Sequence, residues 1–192
     1  MRRAATDPLA AKKISCDVIG LTETRRRPLN ATFDTGEELF LGTCNSRGVG
    51  GVGVLVNTNL AMNINSFGKL TTRMGCFRLR RCGPMPAPTV FVAYAPTSSY
   101  DEVEIKAFYY IWTWRSSTQK TNHTGHRWRL YKVIVGDFNA KIGPRRPPGE
   151  LHIGSHGQQW NEQGERLSEF IMTTMTIHGN SQFQKPTSLR WT

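Results

Sequence analysis

Short apolar runs alternate with Gly-, Pro- and Asn-rich segments along the chain, and this pattern predicts a series of strands. β-branched and aromatic residues dominate these runs, and turn-forming residues bound them. We predict strands over residues 16–21, 54–56, 74–80, 89–94 and 133–135. The short separations between the middle three favour an antiparallel meander in a sandwich. The run at 133–135 ends in glycine and is typical of a strand buried on both faces of a layered α/β core.

Helix spacing is present in two later segments. Apolar residues within 101–110, with acidic residues in the first turn, predict a helix there, and Leu167, Phe170 and Ile171 predict a second one. The helical pattern ends at Ile111. Because Trp has a single codon, the stretch that follows can be back-translated and read two bases later as Met-Asp-Leu-Glu-Lys-Phe-Tyr, which continues the helix. We therefore interpret 111–130 as an aberrant, frame-shifted insert, and we predict short strand pieces at 180–183 and 188–192.

Polar side chains follow three of the predicted strands. Asp137 and Asn139 close the run at 133–135, and the alternation of an extended chain places them on one side, with Phe138 on the other. A carboxylate beside an amide suits the binding of a phosphate and the orientation of a water. Asp and Asn also favour ordinary turns, and spacing alone leaves both interpretations open. Glu23 and Tyr94 end two other strands, and Glu23 with Asp137 would suit a hard cation.

The glycine-rich segment 48–53 matches the Gly-x-Gly-x-x-Gly pattern of dinucleotide-binding proteins. A strand follows it, whereas that fold requires a helix, so the nucleotide-binding interpretation is rejected. We expect these glycines to allow close approach of two backbones instead.

Charge and length limit the class of protein. The chain has 192 residues, enough for one domain with a core, and a formal net charge of +11. We predict a domain over 14–192, after a disordered or truncated lead-in over 1–13. The basic runs favour a polyanionic partner, although a solvated basic surface is the alternative: Arg25-Arg26-Arg27, Arg78-Leu79-Arg80-Arg81 and Arg145-Arg146. Without a signal segment, a membrane span or Cys-x-x-Cys spacing, we expect an intracellular protein with reduced thiols and the nucleus as a candidate compartment.

Three short motifs in this order at strand ends carry a resemblance: Thr22-Glu23-Thr24, Tyr94-Ala95-Pro96-Thr97 and Gly136-Asp137-Phe138-Asn139-Ala140. Together they resemble the endonuclease/exonuclease/phosphatase superfamily. The segment 47–53 and the pattern Asn161-x-x-Gly164-Glu165-Arg166-Leu167 are similar to the endonuclease domain of RTE-type LINE retrotransposons, a group that includes craniofacial development protein 2-like sequences.

The resemblance implies a four-layer α/β sandwich of two mixed sheets flanked by helices. It also implies a Mg²⁺ or Mn²⁺ ion on Glu23, phosphate contact by Tyr94, water activation by Asp137 and phosphate binding by Asn139. The arginines Arg25, Arg26, Arg27, Arg145 and Arg146 would bind the DNA backbone, and we expect a monomer without membrane contact.

The sequence departs from the family pattern at both ends. An early Asn-bearing strand is not clear in 1–13, and a later Asp and a Ser-Asp-His segment would lie beyond Thr192. We therefore expect a truncated fold with little or no nuclease activity. A non-catalytic nucleic-acid-binding remnant and a superfamily phosphatase remain alternatives.

Overall fold

The computed structural model describes residues 16–24, 28–42, 44–46, 48, 50–81, 87–117, 131–146, 149–157 and 159–184. These residues belong to two compact units. The first unit contains the described residues up to Tyr94 together with 131–137. The second unit contains 95–117 and the described residues from Phe138 onward.

The first sheet of the first unit has four strands in the described part of the chain. They are β1 (Val18–Thr22), β2 (Leu29–Thr32), β3 (Glu38–Leu41) and β4 (Val52–Val56), in the order β1-β4-β3-β2. All three pairings are antiparallel. In its described residues this sheet is therefore purely antiparallel, whereas a mixed sheet was expected. A short helix, α1 (Thr58–Ala61), follows β4.

The second sheet contains β5 (Ile64–Thr71), β6 (Met74–Leu79), β7 (Thr89–Tyr94) and β8 (Lys132–Asp137), in that order. The first three strands form an antiparallel meander, whereas β8 pairs parallel to β7. This meander was predicted for the runs at 74–80 and 89–94, but the run at 54–56 belongs to the first sheet.

The two sheets of the first unit pack face to face. Their shared core is built from alternate apolar residues of both sheets: Val52, Val54, Val56, Phe77, Leu79, Val90, Val92 and Tyr94. The opposite face of the first sheet buries a smaller cluster of Leu21, Leu39, Leu41 and Leu55. The predicted α/β sandwich is therefore confirmed.

The second unit contains α2 (Glu102–Ser117), α3 (Glu162–Thr174) and a 3₁₀ helix (Gly179–Ser181). The Asp101 carboxylate accepts a hydrogen bond from Glu104 N and the Asn161 side chain accepts one from Gly164 N, so each helix begins at a capping residue. The helices pack through aromatic rings, since the Tyr109 and Phe170 centroids lie 5.8 Å apart.

Three local expectations differ from the structure. The helix predicted to end at 110 continues to Ser117, because Trp112 packs on Phe108 and is only 1% exposed. The segment predicted as a strand at 180–183 begins in the 3₁₀ helix. Strand β8 lies at a sheet edge with Val133 49% exposed, so it is not buried on both faces.

Some predictions fall on residues outside the described part of the chain. These are the lead-in over 1–13, the strand piece at 188–192 and most of the aberrant insert, for which the frame shift stays a prediction. No helix in the described ranges is long and apolar enough to cross a membrane.

Candidate active site at a strand edge

The parallel pair β7 and β8 brings two polar residues to the same edge of the second sheet. Tyr94 ends β7, Asp137 ends β8, and the two are register partners. Gly136 makes this possible: its φ is 151°, and a Cβ atom there would overlap the Ala93 carbonyl oxygen. The glycine before Asp137 therefore permits the close approach of the two strands.

Glu23 reaches the same edge from the first sheet. It follows β1 and adopts a left-handed backbone conformation, with φ 53°. The Tyr94 hydroxyl donates a hydrogen bond of 2.7 Å to Glu23 Oε1. Tyr94 is buried, whereas Glu23 and Asp137 are exposed. The result is a pair of solvent-facing carboxylates around one buried phenol.

The surroundings of Tyr94 keep its phenol protonated. Burial, the hydrogen bond to Glu23 and the negative charges of Glu23 and Asp137 raise the pKa of Tyr94 to about 12, against the opposing effect of the Arg73 guanidinium. At neutral pH the hydroxyl is therefore a hydrogen-bond donor rather than an anionic base.

Arg73 is a neighbour of this site that the sequence did not reveal. It lies in the turn between β5 and β6, its guanidinium carbon is 5.2 Å from the centre of the Tyr94 ring, and its carbonyl accepts a 2.9 Å hydrogen bond from Tyr94 N. It belongs to no basic cluster. Its position in a tight turn could have been a signal, because the turn that joins two paired strands lies at one end of the sheet.

The glycine-rich segment connects Glu23 to the turn that carries Arg73. Thr24 N donates to Gly51 O at 3.2 Å, and Gly51 N donates to Thr72 O at 2.8 Å. Gly50 and Gly51 both have positive φ, of 83° and 82°, which other residues rarely adopt. The expectation that these glycines allow two backbones to approach closely is confirmed at Gly53, where an added Cβ would lie 2.6 Å from the Phe40 carbonyl oxygen.

Asn139 does not continue the extended alternation that the sequence suggested. Its φ is 51°, so the chain leaves the strand conformation after Asp137. Within the second unit its Nδ2 donates a 2.8 Å hydrogen bond to Ala95 O, and the Phe138 ring packs edge-on against Phe108. The packing role expected of Phe138 is present, and phosphate binding by Asn139 stays a prediction.

The donor set at this edge is chemically suited to Mg²⁺ or Mn²⁺. No group of three or more His, Cys, Asp or Glu side chains in the described ranges is placed to hold a metal ion. Glu23 and Asp137 nevertheless both act on the Tyr94 phenol and supply oxygen ligands. Mg²⁺ commonly binds proteins through one or two carboxylates and retains water and phosphate ligands. Carboxylate oxygens are the ligand type that such a cation prefers, and a Mg²⁺ or Mn²⁺ ion on Glu23 stays a prediction.

The predicted DNA-binding arginines have different surroundings. Arg146 pairs with Glu150 at 2.6 Å and Glu165 at 2.7 Å, and its guanidinium lies 4.0 Å from the centre of the Trp160 ring. Hydrogen bonds to these two carboxylates raise the pKa of Arg146. Arg145 is exposed, and residues 25–27 lie outside the described ranges.

Comparison with known proteins gives two similar sequences. No family model matches the chain. It is 27% identical over 183 residues to craniofacial development protein 2 of Bos taurus, and 26% identical over 182 residues to the protein of that name from Tragulus javanicus. Each match covers 94% of this chain but only 29% or 30% of the relative. The predicted similarity to craniofacial development protein 2-like sequences is confirmed, whereas the link to RTE-type LINE retrotransposons stays a prediction. The chain spans less than a third of those proteins.

Proposed function

We propose that this chain carries the metal- and phosphate-binding edge of a divalent-metal-dependent phosphodiester hydrolase that acts on DNA. The observation that carries the proposal is the hydrogen bond from the buried Tyr94 hydroxyl to Glu23, at the strand edge that also holds Asp137. Such polar groups at strand ends resemble the endonuclease/exonuclease/phosphatase superfamily, and the RTE-type retrotransposon endonucleases in particular. The similarity to craniofacial development protein 2 supports the placement of the chain in that group of sequences.

Each residue has a distinct role in this proposal. Glu23 and Asp137 would hold Mg²⁺, which when bound neutralises charge that develops on the phosphate. Asp137 orients the attacking water and accepts its proton. The Tyr94 hydroxyl, whose single proton goes to Glu23 in the structure, would turn to donate it to a bound phosphate. Phosphate binding by Asn139, which belongs to the second unit, stays a separate prediction.

The partner is inferred from charge. A net charge of +11 favours a polyanion, and the exposed Arg145 would contact the DNA backbone. Backbone contacts carry little base information, so binding should depend on salt more than on sequence.

A non-catalytic nucleic-acid-binding protein is the second candidate, and the histidine content favours it. The described residues of the first unit, which carry Glu23, Tyr94 and Asp137, include no histidine. Only carboxylates then remain there as proton acceptors, and a carboxylate is in general a weaker base than an imidazole. We therefore expect weak or undetectable DNA cleavage by this chain, together with binding of metal and DNA.

The test compares Glu23→Gln and Asp137→Asn with Glu104→Gln, which removes one exposed carboxylate from α2. Mn²⁺ affinity, measured by electron paramagnetic resonance, should fall about tenfold or more in each site variant and stay unchanged in the control. Duplex DNA binding, measured by fluorescence anisotropy in EDTA, should persist in all three. Any nicking of plasmid DNA in Mg²⁺ should disappear in the site variants.

The outcomes separate the candidates. Unchanged Mn²⁺ affinity in both site variants contradicts the proposal. DNA binding without metal dependence or cleavage under any condition favours the non-catalytic candidate. Hydrolysis of p-nitrophenyl phosphate without cleavage or binding of DNA would favour a phosphatase.

A further inference from the structure

A groove of about 520 Å³ lies between α2 and α3 of the second unit. Its apolar lining consists of Ile105, Tyr109 and Phe170. Ile105 and Phe170 are almost fully buried, and the Tyr109 and Phe170 rings pack on each other at the junction of the two helices. The groove therefore has an apolar base that the helix packing holds in place.

Carboxylates outnumber cations along this groove. The charged residues that line it are Glu102, Glu162, Glu165, Glu169, Lys106 and Arg166. Arg166 pairs with both Glu102 and Glu162, and Glu165 pairs with Arg146. Glu169 is exposed and makes no ion pair within the described ranges. The groove thus keeps an unmatched negative charge on Glu169, although the whole chain carries +11.

The outer face of α2 is apolar as well as its buried face. Ile105, Phe108 and Trp112 are buried, whereas Val103 is 75% exposed and Tyr110 is 73% exposed. Tyr110 also lines the groove, so apolar surface continues from the groove onto the outside of α2. A helix that is apolar on all sides is normally covered on all sides. The exposed side of α2 is therefore suited to contact with another apolar surface.

These features together favour one kind of partner. An amphipathic helix fits a groove between two helices, because its apolar face can cover the apolar base while its polar face meets the rim. A basic residue on that helix would supply Glu169 with a cation. An acidic helix would bring like charges to the groove, and a second copy of this chain fits poorly because two chains of net charge +11 repel each other.

We propose that the groove between α2 and α3 binds a basic amphipathic helix of a partner protein. Tyr110 is the apolar contact, and Glu169 receives a Lys or Arg side chain of the partner. Both side chains are exposed, so a partner can reach them without a rearrangement of the helices. The inference does not depend on the proposed function, because Glu23, Tyr94 and Asp137 belong to the first unit.

The experiment measures the binding of two labelled model peptides to the full chain by fluorescence anisotropy. The first peptide has leucines at helical spacing and lysines on its other face, and the second has glutamates in place of the lysines. The lysine peptide should bind the wild-type chain saturably and more weakly as salt is added. Any attraction of the glutamate peptide to basic surface elsewhere should not change when the groove is altered.

Two variants alter the groove. The affinity for the lysine peptide should fall about fivefold in Glu169→Lys, where attraction becomes repulsion, and about tenfold in Tyr110→Ser, as for the loss of an aromatic contact. The matched controls are Glu104→Lys and Tyr131→Ser. Glu104 is an exposed residue of α2 that is not among those lining the groove, and Tyr131 is an exposed tyrosine of the first unit. Both controls should stay within about twofold of wild type.

Undiminished affinity for the lysine peptide in both groove variants overturns the inference, and so does a wild-type chain that does not bind this peptide. An equal loss in the control variants, or an equal loss of glutamate-peptide binding in the groove variants, also overturns it. If circular dichroism shows that one groove variant is unfolded, the other decides. Sedimentation velocity tests the second copy as occupant: a concentration-dependent dimer that Tyr110→Ser abolishes overturns the inference.

Discussion

The strand edge of the first unit and the helix pair of the second unit arrange charged groups in opposite ways. At the strand edge, Glu23 and Asp137 are exposed around the phenol of Tyr94, with Arg73 at the ring. In the second unit, arginines pair with glutamates: Arg166 bonds Glu102 and Glu162, just as Arg146 bonds Glu150 and Glu165.

This difference shows that basic residues adjacent in the sequence can have different partners in the fold. Two adjacent arginines at 145 and 146 predicted a DNA contact, yet one of them is engaged by two carboxylates within its own unit. Arg73, a single arginine in a turn, lies over the Tyr94 ring instead. An arginine held by carboxylates of its own unit, such as Arg146, is less available to a ligand than an exposed one.

The largest effect should come from adding a side chain at Gly136, where β8 approaches β7 closely. In Gly136→Ala, the new Cβ would overlap the Ala93 carbonyl, and φ at that position is strained for any other residue. We expect a loss of more than about 3 kcal/mol in the free energy of unfolding, measured by urea titration. Gly68→Ala in β5 is the control, since its Cβ would meet open space, and its effect should stay within about 1 kcal/mol. Similar losses in both variants would contradict the role of Gly136.

Arg146, which pairs with two glutamates, and the exposed Arg145 offer an intermediate test of the comparison. Arg146→Gln should lower the urea midpoint, because the Glu150 side chain is largely buried and would lose its charged partner, keeping only the donors Ser168 Oγ and the backbone N–H of residue 146. The variant should leave DNA affinity unchanged. Arg145→Gln should leave the midpoint unchanged and reduce the slope of log affinity against log salt by about 0.9, as for one lost phosphate contact. Urea titrations measure the midpoints, and anisotropy titrations at several salt concentrations measure DNA affinity and its salt dependence. A reversed result would mean that DNA displaces the glutamates from Arg146.

Two tyrosines give the smallest expected effects and the sharpest contrast. The Tyr94 hydroxyl donates to Glu23, whereas that of Tyr109 is buried without a hydrogen-bond partner among the described residues. Tyr109→Phe should therefore be neutral or stabilise the fold by up to about 1 kcal/mol, and Tyr94→Phe should cost about 1 kcal/mol. Urea unfolding at neutral pH measures both, and stabilisation by Tyr94→Phe would contradict the contrast.

The same tyrosines predict a dependence on alkaline pH. Burial raises the pKa of each from 10.0 to about 12, so the folded state keeps protons that the unfolded state releases. The free energy of unfolding should thus fall as the pH rises from about 10 to about 12, and each Phe variant should lose part of that slope.

Apolar runs predicted the central strands well and the polar ones poorly. The bounds of β7 were predicted to the residue, because β-branched and aromatic side chains fill a strand that is buried along most of its length. The sequence of β2, Leu-Asn-Ala-Thr, carries no such signal, and this strand exists because it pairs with β3. Strand β5 was missed for the same reason, since Asn, Ser, Gly and Lys interrupt it and its pairing with β6 stabilises it.

For the candidate site, the residues that follow strands were predictable and the residues that depend on pairing were not. Glu23 and Tyr94 could be named because a polar group ends an apolar run. Arg73 could not, since its approach to Tyr94 depends on the register between β6 and β7, which places Met74 beside Ala93. The position of Asn139 depends on a left-handed φ that alternation cannot anticipate.

The parallel pairing of β7 and β8 also has a consequence for how the site is assembled. Strands β5, β6 and β7 are successive neighbours that close short loops, whereas β8 reaches β7 only after a crossover that includes α2. Closing that longer loop costs more chain entropy, and this cost is part of the free energy of folding rather than of ligand binding. Asp137 is therefore held beside Tyr94 by the topology of the sheet, so that a bound phosphate would not have to order the chain that recognises it.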